Sequence, residues 1–283
     1  LTLQQRHGVC RDKAALLAAM AIEASLHGYP VLIHAGPRLD PDVPMPLFNH
    51  AIAAIRFSDG TTSLMDPTDE ATREWLPPYL GNRSYLLATP QGEPLRTSPV
   101  SPAVSNLVRI VTESEITADG ILRGHCEALF LGINDNAYRN YLARRSAEER
   151  RRLFETAAQF ALAGCRLSDL EFEPADLRDR SRPLSARWRF EAPTPAVYAG
   201  TVALLAPPSF ASAFGVVHRD LDALSLDRRR FPLRLRSTGG VEERLRVRTS
   251  PALRPLPSVP PPHRIELPAM RWNTELELLD DGI

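Results

Sequence analysis

Lysine is almost missing from this chain. Lys13 is the only one, although lysine and arginine together number 34 in 283 residues. Cysteine is scarce as well, at three residues, which excludes a disulfide framework. Cys126 lies in an alternating segment and Cys165 follows Gly164, so both read as buried thiols; if they were bridged, Cys10 would be the one left free. Acidic and basic side chains balance at 34 each, so no bulk attraction to nucleic acid or to an anionic membrane surface is expected. Arg150-Arg151-Arg152 and Arg228-Arg229-Arg230 stand beside acidic neighbours and read as solvated surface. No apolar run approaches the roughly 20 residues of a membrane-spanning helix. Neither a Gly-x-Gly-x-x-Gly fingerprint nor a phosphate loop is present, and no Cys-x-x-Cys or His-x-x-x-His pattern adds ligands to His7 and Cys10. Neither a cofactor nor a metal is therefore expected.

What is present is concentrated near the start. Gly8-Val9-Cys10-Arg11-Asp12-Lys13 opens a predicted helix running to about His27. Ala14, Leu17, Ala21 and Ala24 recur at helical spacing, Leu16 and Met20 widen the stripe, and Gly28 supplies the stop. A thiol in the first turn meets the positive end of the helix dipole, which favours thiolate. Most free cysteines on an apolar helix face are small buried hydrophobes; two residues downstream point Cys10 elsewhere. Phe48 to Phe57 predicts a strand, Ser58-Asp59-Gly60 a turn, and Thr61 to Asp66 the returning strand. A three-residue loop with Gly60 in the left-handed position pairs Phe57 with Thr61 and sets Ile52 opposite Asp66. Asp66 then lies on the same face as His50, diagonal to it, whereas a two-residue Asp-Gly turn would put the two on opposite faces. The set is a thiol, an imidazole to take its proton, and a carboxylate to orient the imidazole and stabilise it when charged. Lys13, retained beside the candidate nucleophile, is expected to supply a compact ammonium that pairs with Asp12 or a backbone carbonyl. His7 ranks second to His50, because Gly8 interrupts any helix that would carry it to Cys10.

Gly8-x-Cys10-x-Asp12-Lys13-Ala14, Asn49-His50-Ala51-Ile52 and Asp66-Pro67-Thr68 resemble the three motif blocks of bacterial transglutaminase-like proteins, in the order Cys, His, Asp. The resemblance implies an α+β fold with a papain-like core, in which a cysteine-bearing helix packs on an antiparallel sheet carrying the histidine and the aspartate. It also implies an upstream β domain and a β-rich domain that follows. Cys10, His50 and Asp66 are the expected catalytic residues, with Asp12, Lys13 and Asn49 in support. Backbone N–H groups at the helix start, including that of Cys10, are expected to hold an oxyanion, with Gln4 or Gln5 adding a side-chain donor. The expected reaction is thiol-dependent acyl transfer on peptide or glutamine-type amides. Water as acceptor gives a protease or amidase; an amine gives a transglutaminase. The resemblance further implies a bacterial, periplasmic or exported setting, where peptidoglycan-linked peptides would suit as substrates. The alternative is a non-catalytic binding or assembly module of the cell envelope on the same scaffold.

The core is expected over residues 1–93, a Pro- and Ser-rich linker over 94–105, and the β-rich domain over 106–283, with a helical pair near 136–163. Leu1 in place of a methionine, and an ending Asp280-Asp281-Gly282-Ile283 that reads as the turn of an unfinished hairpin, suggest a piece of a longer protein. Tyr29 to His34 reads as a buried strand, and the proline-dense residues 36–47 as a loop bordering the cleft. Trp75, Tyr79 and Tyr85 are expected to plug a core edge. Beyond the linker, strands are expected at Val108–Ile116 and Ile121–Phe130, joined by Asp119-Gly120, then at Leu184–Phe190, Tyr198–Leu205, Pro232–Arg236 and Arg244–Thr249. The helices are Asn136–Arg145 and Ala147–Ala163, the second opened by the capping box Ser146-x-x-Glu149 and closed by Gly164. Pro251 to Pro262 reads as a rigid connector.

Overall fold

The computed structural model describes residues 2–43, 45–194, 196–199, 202–218, 228, 230, 231, 235–249 and 260–279. A one-turn helix α1 (Thr2–Gln5) and the helix α2 (Cys10–Glu23) precede strands β1 (His27–Ile33), β2 (His50–Arg56), β3 (Thr62–Met65), β4 (Ser84–Leu87) and β5 (Arg96–Thr97). The strands form an antiparallel sheet in the order β3-β2-β1-β4-β5. Strand β5 lies inside the expected linker, and its two residues pair with Ser84 and Tyr85, so the first sheet extends past residue 93.

Helix α2 is shorter than its apolar pattern predicts, and it buries small residues: Ala14, Ala18 and Ala21 face inward while Met20 is exposed. An alanine face lets helix and sheet approach closely. A methyl group on Gly28 would meet the Ala18 carbonyl oxygen at 2.5 Å and the Ala21 Cβ at 2.8 Å. Gly28 is therefore no helix stop; it is the point where β1 touches α2. The stop is made by Ser25, which takes φ +61°. Its N–H donates to Ile22 O and that of Leu26 to Ala21 O, both at 2.9 Å, the two bonds of a Schellman motif. The opposite face of the sheet buries Val31, Ile33, Ile52, Ala54, Leu64, Tyr85 and Leu87 together with Leu80. Tyr79 packs beside them as expected, but Trp75 is exposed.

The second half runs β6 (Leu107–Ile116), β7 (Ile121–Phe130), α3 (Ile133–Ala143), α4 (Ala147–Ala161), β8 (Arg166–Glu173), β9 (Ser185–Pro193), β10 (Ala196–Ala199), β11 (Val202–Leu205), β12 (Gly240–Thr249), β13 (His263–Leu267) and β14 (Met270–Thr274). Its main sheet is ordered β12-β6-β7-β9-β8, antiparallel except that β12 runs parallel to β6. Alternation of buried and exposed positions along most of β9 and of β6 shows one face turned to a core. That core is aromatic: Phe154 and Phe214 each contact Trp188, which in turn packs edge-on against Phe210. Cys126 and Cys165 are both buried and unbridged. The predicted strand Tyr198–Leu205 is instead two short strands paired as a hairpin. Helix α3 starts three residues earlier than predicted, behind Gly132. Strand β8 and the hairpin β13–β14 were not legible in the pattern. Residues 232–234, 251–259 and 280–283, on which the predicted strand Pro232–Arg236, most of the proline connector and the terminal turn fall, lie outside the described residues.

Candidate active site

The hairpin between β2 and β3 sets the register. Gly60 takes φ +83°, and the Phe57 N–H donates to Thr61 O at 2.9 Å. Ala53 pairs with Met65 and Ala54 with Leu64, so continuing the ladder puts Ile52 opposite Asp66. This is the three-residue loop of the sequence reading, and it places His50 and Asp66 on one face. Their side chains meet: His50 Nε2 lies 2.8 Å from Asp66 Oδ2. The Asp66 side chain is fully buried and His50 is 19% exposed. The second carboxylate oxygen, Oδ1, accepts from the Thr68 N–H at 2.8 Å and the Thr68 hydroxyl at 2.6 Å. Asp66 is thus held at both oxygens, and its own N–H donates to Trp75 O.

Cys10 is the first residue of α2. Val9 stands extended before it, and the Val9 carbonyl accepts from the Asp12 and Lys13 N–H groups at 3.0 and 3.1 Å. Asp12 completes the start of the helix, its Oδ2 accepting from the Val9 N–H at 3.0 Å. The Cys10 N–H lies ahead of the intrahelical ladder, among the donors that a helix start leaves unused. Burial pushes the Cys10 thiol up, but the hydrogen bond to His50, the Ala51 N–H, the His50 charge and the Arg11 N–H outweigh it and hold the thiol below its ordinary value. His50 moves the opposite way. The Asp66 hydrogen bond raises its affinity for a proton, burial opposes this, and Cys10 and the Asp66 charge add to the rise. Burial pushes Asp66 up, yet the bonds from His50 and Thr68 together hold it below the usual carboxylate range. Because Nε2 is taken by Asp66, Nδ1 is the ring nitrogen left for the thiol.

The structure therefore brings Cys10, His50 and Asp66 together, and it distributes the other expected residues differently. Lys13 pairs with neither Asp12 nor a carbonyl: its Nζ lies 3.7 Å from Glu70 Oε1, a surface contact between α2 and the loop after Asp66. Asp12 faces Arg11 instead, at 3.8 Å. Asn49 holds the loop that leaves β1, its Oδ1 accepting from the Ala35 N–H at 2.8 Å. Gln4 and Gln5 sit exposed on α1, where the Gln5 carbonyl oxygen lies 3.0 Å from His7 Nδ1. Neither the two glutamines nor His7 has a described contact with Cys10.

Two supports were missed in the sequence. Thr68 secures Asp66, and Asp69 braces the loop beyond it: Oδ1 accepts from the Ala71 and Thr72 N–H groups, and Oδ2 from the Tyr79 hydroxyl at 3.0 Å and Asn136 Nδ2 at 2.8 Å. The signal available was Asp66-Pro67-Thr68-Asp69 itself, a run of residues that bond to their own backbone. Among the described residues no group of three or more His, Cys, Asp or Glu side chains is placed to hold a metal ion, and no helix is long and apolar enough to cross a membrane. Comparisons with protein-family models, with curated proteins and with solved structures gave no match.

Proposed function

We propose that this chain is a thiol-dependent acyl-transfer enzyme with a papain-like core of the transglutaminase-like type, acting on peptide or glutamine-type amides. One observation carries the reading: a buried carboxylate 2.8 Å from His50 Nε2 orients an imidazole whose other nitrogen is left for a thiol at a helix start. In the proposed reaction, Cys10 Sγ–H gives its proton to His50 Nδ1, and the sulfur forms a bond to the amide carbonyl carbon. The displaced electron pair moves to the carbonyl oxygen, where the Cys10 N–H and the helix dipole stabilise it. The C–N bond breaks as the imidazolium returns the proton to the departing amine, leaving a thioester. Water or an amine, deprotonated by His50, then attacks the thioester and releases the thiol.

Asp66 keeps the imidazole aimed throughout and stabilises its charged form. Cys10→Ala is expected to abolish amide hydrolysis and cross-linking of glutamine-containing peptides while the protein stays folded. Full activity in that variant would rule the reading out.

A further inference from the structure

The loop that carries Asp66 is gripped from the other half of the molecule. Asn136, in the first turn of α3, donates its Nδ2 to Asp69 Oδ2 at 2.8 Å. Four residues on, Arg73 Nε donates to Arg180 O at 2.9 Å and lies 4.0 Å from Asp135 Oδ2. Arg180 answers, donating to Thr72 O at 3.3 Å. The platform that makes these contacts is itself locked. Arg139 is buried, pairs with Asp135 at 2.8 Å, and donates to the carbonyls of Leu177, Asp179 and Arg182. The segment Asp69–Arg73 is therefore tied to a rigid part of the second half, and it begins three residues after the carboxylate that orients His50.

We infer that Asn136 and Asp69 form a clamp by which the second half positions the Asp66 loop, and so sets how well His50 is aligned on Cys10. This rests on the acyl-transfer reading above, and it assigns Asn136, Asp69 and Tyr79 as positioning residues that touch no substrate. The groups facing the clamp are Tyr79 from the first half and Asn136, Asp135 and Arg73 at the junction. Those facing the imidazole are Asp66 and Cys10.

The test is iodoacetamide alkylation of Cys10 in the full chain as a function of pH, followed by peptide mapping. The variants are Asn136→Ala, Tyr79→Phe, His50→Ala and the double variant His50→Ala/Asn136→Ala. Asn136→Ala is expected to raise the labelling midpoint by about one pH unit, a roughly tenfold slower reaction well below the midpoint. Tyr79→Phe, which deletes one hydroxyl and keeps the ring in place, is expected to shift it the same way by less, and keeps the test alive if Asn136→Ala does not fold. In the His50→Ala background Asn136→Ala is expected to do nothing more, because the clamp acts through the imidazole. An unchanged midpoint in Asn136→Ala and Tyr79→Phe, alongside a parent midpoint that rises on loss of His50, overturns the clamp and leaves the enzyme reading standing. A parent midpoint that His50→Ala does not move overturns the enzyme reading and the clamp with it.

Discussion

Protonation of His50 and ionisation of Asp66 favour each other, and the two signs together define a pH window. His50 binds its proton more tightly folded than unfolded, so its contribution to stability is complete below its ordinary value of 6.5 and is lost as pH rises through the raised one. Asp66 sits below its ordinary 3.8, so its contribution is complete above that value and is lost as pH falls through the lowered one. The pair therefore stabilises most between these limits. Asp66→Asn is expected to cost about 1.5–3 kcal/mol there, the range for a hydrogen bond to a charged group, and to flatten the fall of Tm that the pair causes below pH 3.8 and above pH 6.5. Heating scans of the two proteins from below pH 3.8 to above pH 6.5 would check both. In the rate profile Cys10 and His50 give a bell. The acid limb of kcat/KM, set by Cys10, falls below the ordinary cysteine value, and the alkaline limb, set by His50, above 6.5. Asp66→Asn should move the alkaline limb down. Lys13 shows what residue identity alone does not carry: its rarity drew attention, but its partner Glu70 lies in a loop 57 positions away whose path no local pattern foretells.

Among the elements, the β2–β3 hairpin was the most legible, because side chains in strands alternate and Ser58-Asp59-Gly60 leaves two loop lengths, each with its own register. Gly60 fits both a three-residue loop and a two-residue Asp-Gly turn, and the structure takes the first, with Ile52 opposite Asp66 on continuing the ladder. Helix α2 was less so. An apolar stripe containing Leu16, Leu17 and Met20 looks like the buried face, but contact with a sheet at this distance selects the smaller Ala14, Ala18 and Ala21, and the larger residues turn outward or sit at the margin. Gly28 then has a packing role that a one-dimensional reading assigns to chain termination. Gly28→Ala is expected to destabilise the fold by about 1–3 kcal/mol through forced separation of α2 from β1, measurable as a lower urea midpoint. If α2 moves away, Cys10 moves with it, so the same variant should also slow Cys10 alkylation near neutral pH. A lowered urea midpoint with unchanged labelling would show that Cys10 is held by its own turn, independently of the α2–β1 contact.

At the scale of the whole molecule, two sheets with separate cores are joined by polar contacts as well as by the chain. Prolines and serines predict a linker over 94–105, yet Arg96 and Thr97 pair on the edge of the first sheet, since an unpaired edge is a template for an extended segment that reaches it. The junction itself was illegible, because Asp69 and Arg73, Asp135 and Asn136, and Arg180 are distant in sequence and meet only in the tertiary fold. The buried Asp135–Arg139 pair is its foundation. Burial pushes the Asp135 carboxyl up, and the bond and charge of Arg139 and the charge of Arg73 oppose this. Removing the guanidinium leaves that carboxylate buried and three carbonyls without their donor. Arg139→Ala is expected to cost about 3–5 kcal/mol, seen in chemical denaturation; a loss under 1 kcal/mol would mean that water replaces the guanidinium and that the platform is not locked by it.

The central claim is that His50 activates Cys10, and the pH dependence of Cys10 alkylation in the parent and in His50→Ala tests it most directly. Burial pushes the Cys126 thiol far up and the Cys165 thiol up to about 11, so the signal belongs to Cys10. The account predicts fast labelling well below pH 8.5 in the parent, and a return to the ordinary cysteine midpoint when the imidazole is removed. The same ordinary midpoint in both proteins would contradict it.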